Sequence, residues 1–255
     1  MSVSPLASET DKKTLQSVIG TLLYYSRAVD PSICTALHEL GSIQSKPTQN
    51  DMLKMNRLLG YVSKYRNIAI RYHASNMILQ LLSDASYLCR PKARSVYGTH
   101  AYLGEPGMIN GPIACASKMI NSVLSSVAEA ELCGGFKIAQ DAVWYRRVLH
   151  DLGYPQPPTL LRMNNTVAIG LALGTINQKR SKAMDMRFFW IVDRIKQKQF
   201  IVQHIPGKWN LADHFTKPLP KHKFYQFMEF IAINLDKEMP LPKLQIKTVT
   251  FPKRL

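Results

Sequence analysis

The sequence predicts an α/β protein: a five-stranded mixed sheet flanked by helices, preceded by a small helical unit. Three observations predict it. Apolar residues recur at helical spacing in three successive segments before residue 66. From residue 78 to 219, strand-length apolar runs and amphipathic stretches follow the order β-β-β-α-β-α-α-β-α. Strands joined by turns read as antiparallel, and strands reached across helices read as parallel additions. The chain has 255 residues, 46% of them apolar, at a mean hydropathy of −0.12, so it can bury a sizeable core.

Residues 1–14 are polar and small and are expected to be disordered. A first helix carries Leu15, Val18, Ile19, Leu22 and Leu23 and stops at Asp30-Pro31, because proline disfavours helical backbone in the residue before it. Pro31 then opens a second helix through Leu40. Thr48 and Asp51 resemble a capping box that starts a third, over about 49–65, with Met52, Met55, Leu58 and Val62 on one face. Ile68 to His73 alternates as a strand, closing a helical unit over 15–75.

Ile78-Leu79-Gln80-Leu81-Leu82-Ser83-Asp84 reads as a central strand that delivers a carboxylate at its carboxyl end. Arg90-Pro91-Lys92-Ala93-Arg94 is a basic turn. Val96 to Leu103 and Pro112 to Ser117 are two further strands, separated by a turn rich in Gly and Pro. A long helix is expected from Ser125 to Leu149, capped by Ser125 or Ser126. Thr159 to Met163 is the fourth strand, Asn165 to Leu173 a short helix and Lys182 to Gln197 a longer one. Phe200 to Ile205 is the fifth strand, Leu211 to Thr216 a helical turn and Lys221 to Ile233 the last helix. The sheet domain thus spans 76–219, followed over 220–255 by a C-terminal helix and a basic tail.

The charge is far from balanced: 33 Lys and Arg stand against 17 Asp and Glu, a net +16. The excess is spread over the helical unit, the sheet domain and the C-terminal segment, which favours a polyanionic partner such as nucleic acid. Four cysteines (Cys34, Cys89, Cys115, Cys133) are widely spaced without a C-x-x-C pair, as expected of reduced thiols inside a cell, in cytoplasm or nucleus. No stretch approaches the ~18 apolar residues of a membrane span, and no signal-peptide core follows Met1.

In a chain poor in acids, those at element ends are informative. Two divalent cations about 4 Å apart, held by three or four carboxylates at one sheet edge, are the usual equipment for phosphodiester hydrolysis. Asp84, one of Glu129 and Glu131 on the long helix, and Asp213 after the fifth strand are the candidates. Glu129 and Glu131 stand two apart on a helix, so they point to different faces and only one can face Asp84.

Five ordered motifs make the pattern specific: Leu82-Ser83-Asp84-Ala85; Leu124 to Glu131; Asn165-Thr166-Val167-Ala168-Ile169; Arg180 to Arg187; and Asn210 to Leu219. Residues 78–219 resemble the ribonuclease H domain of Ty1/copia-type retrotransposon Pol polyproteins. Residues 15–66, with Ile19-Gly20-Thr21-Leu22-Leu23-Tyr24 and Ser45-Lys46-Pro47-Thr48, resemble the reverse transcriptase segment that precedes it. The resemblance implies a ribonuclease H-like fold that cleaves the RNA strand of RNA/DNA hybrids with Mg2+ or Mn2+, and the rest of a reverse transcriptase as a partner. It implies that Asp84, Glu131 (in preference to Glu129) and Asp213 bind metal. Asn164 stands where the family's fourth site carries Asp, which implies weakly bound metal and impaired cleavage. Arg90, Lys92, Arg94, Lys118, Lys179, Arg180, Lys182 and Arg187 are the cations expected along a hybrid backbone. A non-catalytic nucleic-acid-binding or assembly module is the alternative. An integrase-type core is a lesser one, because it would place its closing Glu on a late helix. Asp185 resembles an acid of the family pattern and reads equally as an ion-pair partner of Arg187 or a neighbour, and Trp209 reads as a packing residue.

Overall fold

A computed structural model describes residues 4–176 and 182–234, without side-chain placement at 182–185 and 233–234. Three helices come first: α1 (Glu9–Ala28), α2 (Cys34–Ile43), entered through a short 3-10 turn at Pro31–Ile33, and α3 (Gln49–Lys64). They close on one another through Leu15, Ile19, Leu22, Ile33, Leu37, Leu40, Met52, Met55 and Leu58. The expected disorder before residue 15 is corrected from residue 4 onward. Ser8 and Asp11 form a capping box, so α1 begins six residues before its first apolar position. Backbone bonds from Ala7 to Pro47 and from Gln49 to Pro5 fasten the strand-like lead to the start of α3. The capping box at Thr48 and Asp51 is present as expected.

Strand β1 (Ile68–Ile70) leads into the five-stranded sheet. Its strands are β2 (Leu79–Arg90), β3 (Arg94–Leu103), β4 (Pro112–Ile120), β5 (Thr159–Met163) and β6 (Phe200–His204), in the order β4-β3-β2-β5-β6. β2, β3 and β4 pair antiparallel, whereas β5 joins β2, and β6 joins β5, in parallel. Helices α4 (Val127–Asp151), α5 (Thr166–Ala172) and α6 (Lys182–Lys196) cover one face. Leu79, Leu81, Leu132, Phe136, Leu161 and Met163 meet there in the main core. The other face packs Leu82, Tyr102 and Cys115 against Phe215 and against α7 (Lys221–Ile231). α7 runs into β7 (Ala232–Asn234), which pairs antiparallel with β1. That closing pair was not predicted, and the expected tail from residue 236 lies outside the described residues.

The expectation that β2 ends at Asp84 is corrected: the strand continues to Arg90, paired with β3 as a long hairpin arm. What ends near Asp84 is the parallel pairing with β5, whose last partner pair is Leu82 and Arg162. Asp84 therefore stands where β2 and β5 part, which opens room beside it.

The helical unit docks on this sheet edge. Cys34 Sγ of α2 lies 3.9 Å from Cys115 Sγ of β4, and Glu39 of α2 pairs with Arg90 at 3.5 Å. No helix among the described residues is long and apolar enough to cross a membrane.

Candidate active site

The carboxylates are set by the parting strands, the start of α4 and one 3-10 turn. Asp84 is buried, 2% exposed. Its Oδ1 accepts from Asn164 Nδ2 at 3.1 Å, and its Oδ2 from the Thr216 hydroxyl at 2.7 Å. Asn164 follows β5 directly, so the two side chains meet across adjacent strands. Burial pushes the Asp84 carboxyl up to about 6; Asp213's charge adds to this, while Thr216, Lys217 and Asn164 oppose it.

On α4 the two glutamates separate as helix geometry requires. Glu129 folds back on the helix start, where its Oε2 accepts from both Ser125 N–H and Ser125 Oγ at 2.7 Å. Glu131 turns toward Asp84 and accepts from the Ala85 N–H. It is 4% exposed, and its Oε2 finds no hydrogen-bond partner among the described residues. Burial first, and Asp84's charge second, push its carboxyl up to about 8. α4 comes this close because position 134 is glycine: a Cβ there would stand 2.8 Å from Ser83 Oγ.

Asp213 lies in the 3-10 turn Leu211–Phe215. Asn210 anchors that turn, donating through Nδ2 to Ser83 O at 2.9 Å and accepting through Oδ1 from Ala212 N–H. Lys217 Nζ reaches Asp213 Oδ1 at 2.5 Å. The turn sits flush on β3 because Gly98, the partner of Asp84 in register, has no side chain. A Cβ at Gly98 would fall 2.5 Å from the Ala212 carbonyl oxygen and 2.8 Å from Phe215 Cβ. Both walls are fixed, so Gly98→Ala must push the turn and Asp213 away. We expect it to lower unfolding free energy by about 1–3 kcal/mol in urea titration. An unchanged midpoint would contradict the tight docking.

Asp84, Glu131, Asn164 and Asp213 thus come to one edge, and the three carboxylates act electrostatically on one another. They do not close further: among the described residues no three acidic, His or Cys side chains are gathered tightly enough to hold a metal. The donor set nevertheless suits a hard divalent cation. It offers carboxylate oxygens, one of them buried without a partner, and two carboxyls held up by burial and like charge. Lys217 brings a positive charge to the site, and the Asn164 amide a neutral N–H donor. Thr216, Lys217 and Asn210 were missed as individual site residues, although all three lie inside the motif Asn210 to Leu219.

The expected backbone-binding cations divide. Lys92 and Lys118 are exposed and Arg94 is half-buried. Arg90 is corrected: it is drawn into the seam with α2 by Glu39, its side chain only 15% exposed. Arg187 is likewise half-buried, donating to Ser122 Oγ at 3.2 Å. Lys179 and Arg180, and the side chains of Lys182 and Asp185, lie outside the described residues. A basic group not foreseen flanks Asp213: Lys208 and Lys223 line a small cleft with it. Lys208 Nζ lies 5.4 Å from the Trp209 ring centroid. Trp209 itself packs beside Phe230, as expected.

A sheet of this order, with acids gathered where its central parallel pair parts, defines a ribonuclease H-like fold. No family model matches the chain. It is similar to the retrovirus-related Pol polyprotein of transposon TNT 1-94 from Nicotiana tabacum, with 24% identity over 88% of this chain and 16% of that protein. The Pol polyprotein of transposon RE1 from Arabidopsis thaliana is 26% identical over 88% of this chain and 15% of its own length. Both relatives are retrovirus-related Pol polyproteins of plant transposons, and a third, that of transposon RE2 from Arabidopsis thaliana, is 24% identical over 88% of this chain. The chain spans about a sixth of the length of the curated relatives it matches. Among solved structures, LC11-RNase H1 in complex with an RNA/DNA hybrid gives a TM-score of 0.43 at 16% identity, over 54% of this chain and 93% of that one. A foamy viral protease-reverse transcriptase in complex with dsDNA gives 0.48 at 15% identity, over 87% of this chain and 40% of that one.

Proposed function

We propose that this chain is the ribonuclease H-like part of a copia-type Pol protein, engaging RNA/DNA hybrids and hydrolysing the RNA strand slowly. The observation that carries the reading is the contact of Asp84 with Asn164 across β2 and β5, beside Glu131. Asp84, Glu131 and Asp213 would hold Mg2+ or Mn2+, with Asn164 lending an amide oxygen after its side chain turns. Such an ion lowers the pKa of bound water and stabilises the departing oxygen. Asn164 leaves the site one negative charge short of four carboxylates, so affinity for a divalent cation falls. Thr216 keeps Asp84 oriented, and Lys217 partly neutralises Asp213.

The second reading, a nucleic-acid-binding module without cleavage, draws on the same two features: an amide on Asp84 and an ammonium on Asp213. Binding and cleavage separate the readings. Hybrid binding should weaken with salt, and replacing Lys208 and Lys223 together by Ala should lower the slope by about two counterions. An unchanged slope removes this face from the nucleic-acid path. Mn2+-dependent cleavage abolished by Asp84→Asn supports the enzyme; binding without any cleavage supports the module.

A further inference from the structure

The residue after Asp213 is hydrogen-bonded to the helical unit while its ring packs on α7. His214 is buried, 4% exposed, with its ring stacked on Phe227 at 3.9 Å. Its Nε2 lies 3.0 Å from the Ser32 carbonyl oxygen, which can only accept, so this nitrogen carries the proton. Its own carbonyl oxygen accepts from the Thr35 hydroxyl at 2.5 Å. Both Ser32 and Thr35 are buried, in the 3-10 turn at Pro31–Ile33 and at the start of α2. Ser32 Oγ is bonded in turn to Tyr61 OH of α3 at 2.9 Å. The helical unit thus grips ring and backbone of a residue whose neighbour bears a site carboxylate. Two positions further on, Thr216 bonds Asp84.

We propose that Thr35 and Ser32 are positioning residues for the turn that carries Asp213, so that the acidic site is completed across the two units. Sheet-domain contacts fix the ends of the turn: Asn210 to Ser83 at one, Thr216 to Asp84 at the other. Between them, polar contacts from Ser32 and Thr35 meet His214, while Gly98 leaves that stretch space to settle on β3. A change in how α1–α3 sit on the sheet would therefore move Asp213 relative to Asp84 and Glu131. Only the metal measurement below rests on the reading of Asp213 as a ligand.

The test uses the full chain with Thr35→Val, which keeps the shape and removes the hydroxyl, and Thr35→Ser, which does the reverse. Hydrogen exchange of the peptide over residues 210–216 is read first, and Mn2+ binding by calorimetry second. Thr35→Val should speed exchange there by at least about tenfold and weaken Mn2+ by a similar factor, the worth of one buried hydrogen bond. Thr35→Ser should restore both. If Thr35→Val does not fold, His214→Phe, which retains the stack and loses the Ser32 bond, should show the same local acceleration. Unchanged exchange in Thr35→Val, or acceleration in Thr35→Ser alone, overturns the proposal, because packing would then be what matters. Faster exchange in a chain that binds no Mn2+ even as Asn164→Asp leaves the positioning standing and removes the nuclease reading.

Discussion

Asn164→Asp should turn a weak divalent-cation site into a strong one and raise Mn2+-dependent hybrid cleavage by at least an order of magnitude. In the parent chain the Asn164 amide donates to Asp84 at 3.1 Å, an attractive contact that needs no ion. Aspartate there would set another negative charge beside Asp84 and Asp213, whose charges already act on each other, and next to Glu131, which burial holds protonated up to about 8. At an effective dielectric near 20, unit charges 4 Å apart interact by roughly 4 kcal/mol. Without metal that interaction is repulsive, so the variant should melt at lower temperature than the parent in chelator. With saturating Mn2+ it becomes attraction to the ion, and every ~1.4 kcal/mol retained is a tenfold gain in affinity. The signature is opposite shifts in the two buffers. Melting unchanged by Mn2+ in the variant would mean that the carboxylates do not share an ion.

The layout of the sheet domain was legible because its pattern is local: apolar runs of strand length, helical periodicity and turn residues follow one another as they pack. Local pattern also has a blind side. Ser8 and Asp11 repeat the spacing of Thr48 and Asp51, yet only the second was read as a cap, because Leu15 begins the apolar face of α1 six residues after its start. Asp84 is expected at a strand terminus and instead lies within β2. The residues after Asp84 are small and polar, and β2 continues because β3 pairs with it, which sequence alone does not display. Thr216 reaches Asp84 across 132 residues, and Arg90 is taken by Glu39 in a different unit. Long-range contacts of that kind decide which Thr orients a carboxylate and which Arg is free for phosphate. Neither residue type nor spacing records them.

In metal-free buffer the protein should lose stability as pH rises from 7 to 8, and Glu131→Gln should remove that loss. Glu131 binds its proton up to about 8 in the fold, against an ordinary value of 4.5. Between those values the native state keeps a proton that the unfolded chain has released, so unfolding free energy falls with rising pH. The slope is about 1.4 kcal/mol per pH unit for one fully differential proton. Asp84 acts in the same direction, but only up to about 6. His38, His100 and His214 oppose it below 6.5, since burial holds each down to about 4 and unfolding then takes up a proton. That opposition fades above about 7, and the difference between parent and Glu131→Gln isolates Glu131, on the order of 1 kcal/mol from pH 7 to 8. Glutamine cannot ionise and should flatten the slope, measured as urea midpoints at several pH values. Saturating Mn2+ should reverse the slope in the parent chain, because an ion held by Glu131 and Asp84 requires them deprotonated and so binds more tightly as pH rises. A parent slope equal to that of Glu131→Gln would show that Glu131 titrates as a surface acid does, and that the buried, unpartnered oxygen is not held in the folded chain.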